Sequence, residues 1–159
     1  MCIRDSIYAE DPYAAGLPST GLLGSCEWPA GPGRRFEIGF ESGDEISSFY
    51  DSMIAKVVVC DENRYRALRK MRATLKECVI FGVKTNIPYL LAILDHEDFV
   101  AGSMTTDFIA KHFAEGLTKG GLDKATAALA DSLYRNLSGV SEEQSSSRES
   151  PWQLDWESS

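Results

Sequence analysis

Residues Met53–Cys60 are apolar at nearly every position and rich in β-branched side chains. That pattern predicts a strand buried on both faces. Lys56 interrupts it, and a charge inside a buried strand needs a partner or a ligand. Tyr50-Asp51-Ser52 forms the polar mouth of this strand, so a charge-bearing loop is fixed to the stiffest element of the chain. Upstream, residues 35–40 alternate strictly, with Phe36, Ile38 and Phe40 on one side of a half-buried strand. Residues 22–28 and 45–47 read as two more strands, and residues 7–9 as the stump of another. Residues 1–6 show no periodicity. Strands that follow one another without helices between them imply antiparallel pairing.

The period changes after Asp61. Tyr65, Leu68, Met71 or Arg72, Leu75 and Cys78 recur at helical spacing, with Asp61 as the expected N-cap. The opposite face carries Arg64, Arg66, Arg69, Lys70, Arg72 and Lys76; it reads as a solvated face, with anion binding as the alternative. Residues 79–83 predict a short strand. Thr85 or Asn86 caps a helix that runs to about Asp95 and tolerates Pro88 in its first turn. Thr105 or Thr106 caps the next helix, and Leu122, Ala125, Leu129, Leu133 and Leu137 mark a last one that stops at Gly139. The fold class expected is therefore α+β: a small antiparallel sheet of short strands followed by packed helices, with a disordered C-terminal linker.

Composition narrows this picture. With 159 residues, 43% of them apolar, one domain with a real core is expected. The net charge of -8 argues against nucleic acid as the main partner. Much of that charge sits in residues 141–159, where five carboxylates face one arginine. Residues 141–150 are rich in Ser, Glu and Gln and read as a linker. Pro151-Trp152-Gln153-Leu154-Asp155-Trp156 then looks like the opening of a further domain. The cysteines Cys2, Cys26, Cys60 and Cys78 make no Cys-x-x-Cys pair, and the histidines are His96 and His112 alone. Metal-ligand spacing is absent, so no metal site is expected. Without a signal peptide or an apolar run of about 18 residues, the chain reads as a reduced, soluble, intracellular protein outside the membrane. Cys60 and Cys78 then act as small buried hydrophobes.

No complete catalytic set is visible. Gly31-Pro32-Gly33-Arg34-Arg35 could cradle a phosphate, but it lacks the strand-loop-helix context and reads as a β-turn with two arginines. Glu10 and Asp11 build a turn before Pro12 rather than an acid/base pair. His96 and His112 lack a nucleophile and read as surface or helix-end residues.

Four ordered motifs carry a resemblance. Ile7-Tyr8-Ala9-Glu10-Asp11-Pro12, Leu17-Pro18-Ser19-Thr20-Gly21, Tyr50-Asp51-Ser52-Met53-Ile54-Ala55-Lys56 and Gly82-Val83-Lys84-Thr85-Asn86-Ile87-Pro88-Tyr89-Leu90 together resemble the C-terminal domain of biotin carboxylase. Phe99, Gly102 and Thr106-Asp107-Phe108-Ile109 extend the match, which covers about residues 7–113. The resemblance implies part of a ligase that carboxylates biotin with ATP, bicarbonate and magnesium through an ATP-grasp fold. Its implied partners are an N-terminal ATP-grasp domain, a second copy in a homodimer, a biotin carrier domain and a carboxyltransferase subunit. Its implied place is the cytoplasm, or the mitochondrial matrix in a eukaryote. Residues 150–156 favour an acyl-CoA carboxylase α subunit, with a pyruvate carboxylase fragment or a non-catalytic dimerisation and docking module as alternatives.

The resemblance also distributes roles. The family arginine that stabilises the biotin enolate falls at Ser6, so no catalytic residue is assigned and the piece alone is expected to be inactive. Thr106 falls where the family touches adenine, and a helix cap is the other reading of it. Asp51 and Lys56 are expected to support the arginine's region, and Pro32 and Arg35 to meet the other subunit. The domain boundaries expected are residues 1–6 as a truncated or non-native start, 7–116 as the carboxylase domain, 117–139 as a linker helix, and 140–159 as linker and the start of a following domain.

Overall fold

The computed structural model describes residues 1–114 together with Gly116 and Leu117. The chain divides into two units, Met1–Lys119 and Gly120–Ser159. The expected last helix, the linker and the aromatic segment at residues 151–156 lie outside the described residues.

The first unit is built on a three-stranded antiparallel sheet in the order β1-β8-β6. Its strands are β1 (Cys2–Tyr8), β6 (Arg34–Ile38) and β8 (Met53–Cys60). Three two-stranded ribbons surround it: β2 (Glu10–Asp11) with β3 (Leu17–Pro18), β4 (Gly21–Leu22) with β7 (Glu45–Ile46), and β5 (Ser25–Glu27) with β9 (Val79–Phe81). Helices α1 (Arg64–Glu77), α2 (Ile87–Asp95), α3 (Glu97–Ala101) and α4 (Phe108–His112) complete the described part. The α+β class and the antiparallel pairing follow the sequence pattern. No helix among the described residues is long and apolar enough to cross a membrane.

The core lies between this sheet and α1. Ile3 and Ile7 of β1 and Ala55, Val57 and Val59 of β8 pack with Ala67, Leu68, Met71 and Leu75 of α1. Each of the Ile, Val, Leu and Met side chains contributes about 1.5–3 kcal/mol by leaving water. The strand β8 differs from its expectation: Val57 and Val59 are fully buried, whereas Lys56, Val58 and Cys60 are only half-buried. α1 covers one face of a narrow sheet, so Lys56 stands on the more open face and needs no buried counter-charge.

α1 shows three further differences. Its N-cap is Asn63, whose side chain accepts from Arg66 N at 3.0 Å. Asp61, the expected cap, instead pairs with Lys70 at 2.9 Å, and hydrogen bonding to Lys70 holds its carboxyl below the usual range. Tyr65, expected in the core, is 63% exposed, while Thr74 is buried and donates its hydroxyl back to Lys70 O at 2.8 Å. Much of the basic stripe is engaged within the domain. Arg72 pairs with Asp95 at 2.5 Å, Arg66 with Glu62 at 2.7 Å, and Arg64 donates to the carbonyls of Phe99 and Val100. The Arg72 and Arg64 contacts tie α1 to α2 and α3, so this part of the stripe is less solvated than the expected face, while Arg66 is exposed as that reading has it.

β1 begins at Cys2, well before the expected stump at residues 7–9, and pairs with β8 along its length. The register sets Cys2 opposite Cys60, and the two form a disulfide with Cα atoms 4.1 Å apart. Cys60 is therefore not the free buried thiol that its surroundings suggested. Cys26 and Cys78 are free, and burial pushes the Cys78 thiol up to about 11. The same register sets Asp5 opposite the fully buried Val57. Cross-strand partners share a face, so a carboxylate sits on the core side, and burial raises it from 3.8 to about 6.

Candidate functional site

The four sequence motifs come together at the end of β1. Asn86 holds the junction: its Oδ1 accepts from Tyr8 N at 2.9 Å, and its Nδ2 donates to Ser6 O at 3.1 Å. Its own backbone N–H donates to Tyr8 O at 3.1 Å. This amide is only 8% exposed. Asn86 stands at the N-cap of α2 but makes no side-chain cap bond, because its side chain is committed to β1. Pro88 occupies the first turn of α2, as expected.

Neighbouring motifs lock onto this clamp. Ser19 N donates to Ala9 O at 2.8 Å, Ser19 Oγ accepts from Lys84 N at 3.0 Å, and Lys84 Nζ pairs with Asp11 at 2.5 Å. Ala9 N donates to Ser52 O at 2.8 Å, which brings in the loop before β8. Gly82 makes the close approach possible. Its φ is 107°, and a Cβ there would lie 2.0 Å from Leu22 O. Only glycine fits such a position.

A cavity of about 220 Å³ opens beside this junction, lined in part by Glu10, Pro12, Asn86, Tyr89 and Phe113. Burial, reinforced by the Asp51 carboxylate, pushes the Glu10 carboxyl up. Burial also raises the Tyr89 hydroxyl. Glu10 and Tyr89 give the cavity two groups that can hydrogen-bond a guest between apolar walls.

The sequence-derived candidates are spread over the sheet and the loops around it. Ser6, Lys56 and Glu37 occupy one cross-strand row of the three-stranded sheet, since Lys56 pairs with both Ser6 and Glu37. Arg35 lies two rows along on the same face, opposite Val58, and forms an exposed ion pair with Glu37 at 3.2 Å. Pro32 lies in the loop before β6, and its carbonyl accepts from Lys70 Nζ at 3.3 Å. Asp51 stands at the entrance of β8, where its Oδ1 accepts from Met53 N at 3.1 Å. Thr106 is exposed, in the turn before α4. It does not cap that helix: Asp107 is the N-cap, and its carboxylate is taken by Thr105 Oγ1 and, at 2.7 Å, by Lys111.

Two features escaped the sequence reading. Asn86 read as a helix cap, whereas its motif position between Lys84 and Pro88 was the only hint of a larger role. His96 and His112, the only histidines of the chain, do lie at helix ends, but their rings meet with centroids 4.2 Å apart. Asp98 joins them, so that one donor atom from each of the three residues lies within 4.8 Å of the others. Sixteen residues of sequence separate the two histidines, outside any short ligand spacing.

Comparison with known proteins agrees with this arrangement. The profile of the biotin carboxylase C-terminal domain matches residues 5–111. The methylcrotonoyl-CoA carboxylase subunit alpha of Dictyostelium discoideum mitochondria is 45% identical over 107 residues, covering 67% of this chain and 15% of that protein. The biotin carboxylase of Halalkalibacterium halodurans is 40% identical over 110 residues, covering 69% and 24%. The biotin carboxylase domain of Hydrogenobacter thermophilus 2-oxoglutarate carboxylase, solved as a dimer with magnesium ADP, ADP and bicarbonate, superposes with a TM-score of 0.67 at 39% identity, covering 70% of this chain and 24% of that one. The chain thus spans between about one seventh and one quarter of the length of these relatives. Four motifs that converge on one clamp, a matching profile and a shared fold lead to one conclusion: the chain belongs to the biotin carboxylase C-terminal domain family.

Proposed function

We propose that this chain serves as the C-terminal domain of the biotin-carboxylating component of an acyl-CoA carboxylase, a ligase that uses ATP, magnesium and bicarbonate. The observation that carries this reading is the convergence of all four family motifs on the Asn86 clamp. In this reading Thr106 meets the adenine, Asp51 and Lys56 support the sheet row that holds Ser6, and Pro32 and Arg35 face a second copy in a homodimer. An ATP-grasp domain, a biotin carrier domain and a carboxyltransferase subunit are its partners. Its place is the cytoplasm, or the mitochondrial matrix in a eukaryote.

The residues present fit only one edge of such a site. Thr106 is exposed, which supports contact with a nucleotide from one side. Ser6 offers a hydroxyl where the family's guanidinium would stabilise charge on biotin, and Lys56 is the cation across from it in register. No step of the carboxylation is assigned to this chain.

The test is a chimera in which residues 5–111 replace the corresponding segment of the Halalkalibacterium halodurans biotin carboxylase. With Ser6→Arg the chimera is expected to hydrolyse ATP in a biotin-dependent manner. With Ser6 retained, the rate is expected to fall by about 10²–10³, the usual effect of removing one charge-stabilising donor. A folded Ser6→Arg chimera without biotin-dependent turnover would contradict the reading. Equal rates for the two chimeras would remove the role given to that position.

A further inference from the structure

We infer that His96, Asp98 and His112 form a binding site for a divalent transition metal, with zinc as the expected ion. The three residues come from different places. His96 ends α2 and begins α3, Asp98 lies in the first turn of α3, and His112 ends α4. Asp98 Oδ2 lies 3.4 Å from His112 Nε2 and 3.9 Å from His96 Nδ1. With bonds of about 2.0–2.1 Å and tetrahedral angles, two ligands of one zinc ion stand about 3.4 Å apart. The Asp98–His112 pair already has that separation, and with all three donor atoms within 4.8 Å of one another the imidazoles must close toward the ion.

The surroundings prepare the donors. Ser103 Oγ donates to Asp98 Oδ1 at 3.3 Å, which turns Oδ2 toward the imidazoles. Asp98 N donates to His96 Nδ1 at 3.2 Å, so in the neutral ring that nitrogen carries the lone pair, engaged by this N–H in the metal-free chain, and the ring proton resides on Nε2. The metal takes the place of this long backbone contact. Phe108 packs edge-on against the His96 ring at 5.0 Å and holds its plane. The Asp98 and His112 side chains are 43% and 35% exposed, so an ion can enter and water can complete the coordination. Two nitrogens and one oxygen suit borderline ions such as zinc, cobalt or nickel rather than magnesium or calcium. A bound ion would clip α3 to α4 and close the turn that carries Thr106.

The test is a titration of the ¹⁵N-labelled 159-residue chain with zinc chloride at pH 7.5, read on the imidazole nitrogens. With two histidines in the chain, every ring signal is assignable. The account expects saturation at one equivalent, with shifts of His96 Nδ1 and His112 Nε2 together. Asp98→Asn should weaken binding at least tenfold, while Glu97→Gln, one residue away, should leave it unchanged. Ring signals that stay still in excess zinc, or movement of one ring only, would overturn the proposal. So would binding that Asp98→Asn leaves intact. The wild-type shifts decide the matter even if that variant fails to fold.

Discussion

The two ends of β1 are held in different ways. At its C-terminal end, Tyr8 and Ser6 are gripped by Asn86, whose buried side-chain amide pairs with Tyr8 N–H and Ser6 C=O while its own N–H donates to Tyr8 O. At its N-terminal end, strand pairing and the Cys2–Cys60 disulfide do the holding, while Asp5 presents a carboxylate to the core whose Oδ2 makes no hydrogen bond. The difference teaches where specification resides. The motif end is matched group for group, so changes there should cost stability. The other end follows the register of β8 with a side chain that opposes burial, so a change there should add stability.

Four substitutions would break or sharpen this contrast. Gly82→Ala should have the largest effect, a loss of at least about 3 kcal/mol, because positive-φ strain adds to a backbone clash. Urea denaturation would measure it, and a loss under 1 kcal/mol would contradict the close approach to Leu22. Asn86→Ala should cost about 3 kcal/mol by leaving Tyr8 N–H and Ser6 C=O buried and unpaired. It should also raise amide exchange at Tyr8.

Asp5→Asn should act in the opposite direction. The carboxyl titrates near 6 in the folded state against 3.8 as its ordinary value. A raised folded value means that the folded state holds the proton more tightly. Its contribution is fully present below about pH 4, is lost as the pH rises to about 6, and stays lost above; the whole change is about 3 kcal/mol. Asp5→Asn should therefore recover about 2 kcal/mol at pH 7 and flatten the stability profile between pH 4 and 6. Denaturation midpoints at several pH values would show it, and an unchanged slope would contradict a buried Asp5. The smallest effect belongs to Lys84→Ala. Its ion pair with Asp11 is mostly exposed on the lysine side, so a loss of about 0.5–1 kcal/mol is expected from the same denaturation curves. A larger loss would mean that this pair holds the junction more strongly than an exposed ion pair should.

Much of the fold was legible because its longer elements carry dense local signals. β8 runs from Met53 to Cys60 as its apolar run suggested, and α2 ends at Asp95 with Pro88 in its first turn. The register of α1 was harder. Spacings of three and four fit two neighbouring faces, and only packing against β1 and β8 selects Ala67, Met71 and Thr74 over Tyr65 and Arg72. Thr74 looks polar in sequence, yet its hydroxyl is satisfied by its own helix. The disulfide depends on a pairing 58 residues apart, which no cysteine spacing reveals. The family motifs marked the candidate site, but the role of Asn86 did not follow from them, since one side chain can cap a helix or clamp a strand. α3 has five residues, too few to show a period, and it is the element that brings His96 and Asp98 toward His112.

The most direct measurement is native-state hydrogen exchange at the backbone amides of Tyr8, Ala9, Ser19, Lys84 and Asn86. These five amides make the bonds that join the four motifs. If the clamp organises the domain, they exchange together, as slowly as the core amides of β8, and all five are released by Asn86→Ala. Exchange at the rate of an unstructured peptide, or release of Tyr8 alone, would contradict the claim that the four motifs form one cooperative site.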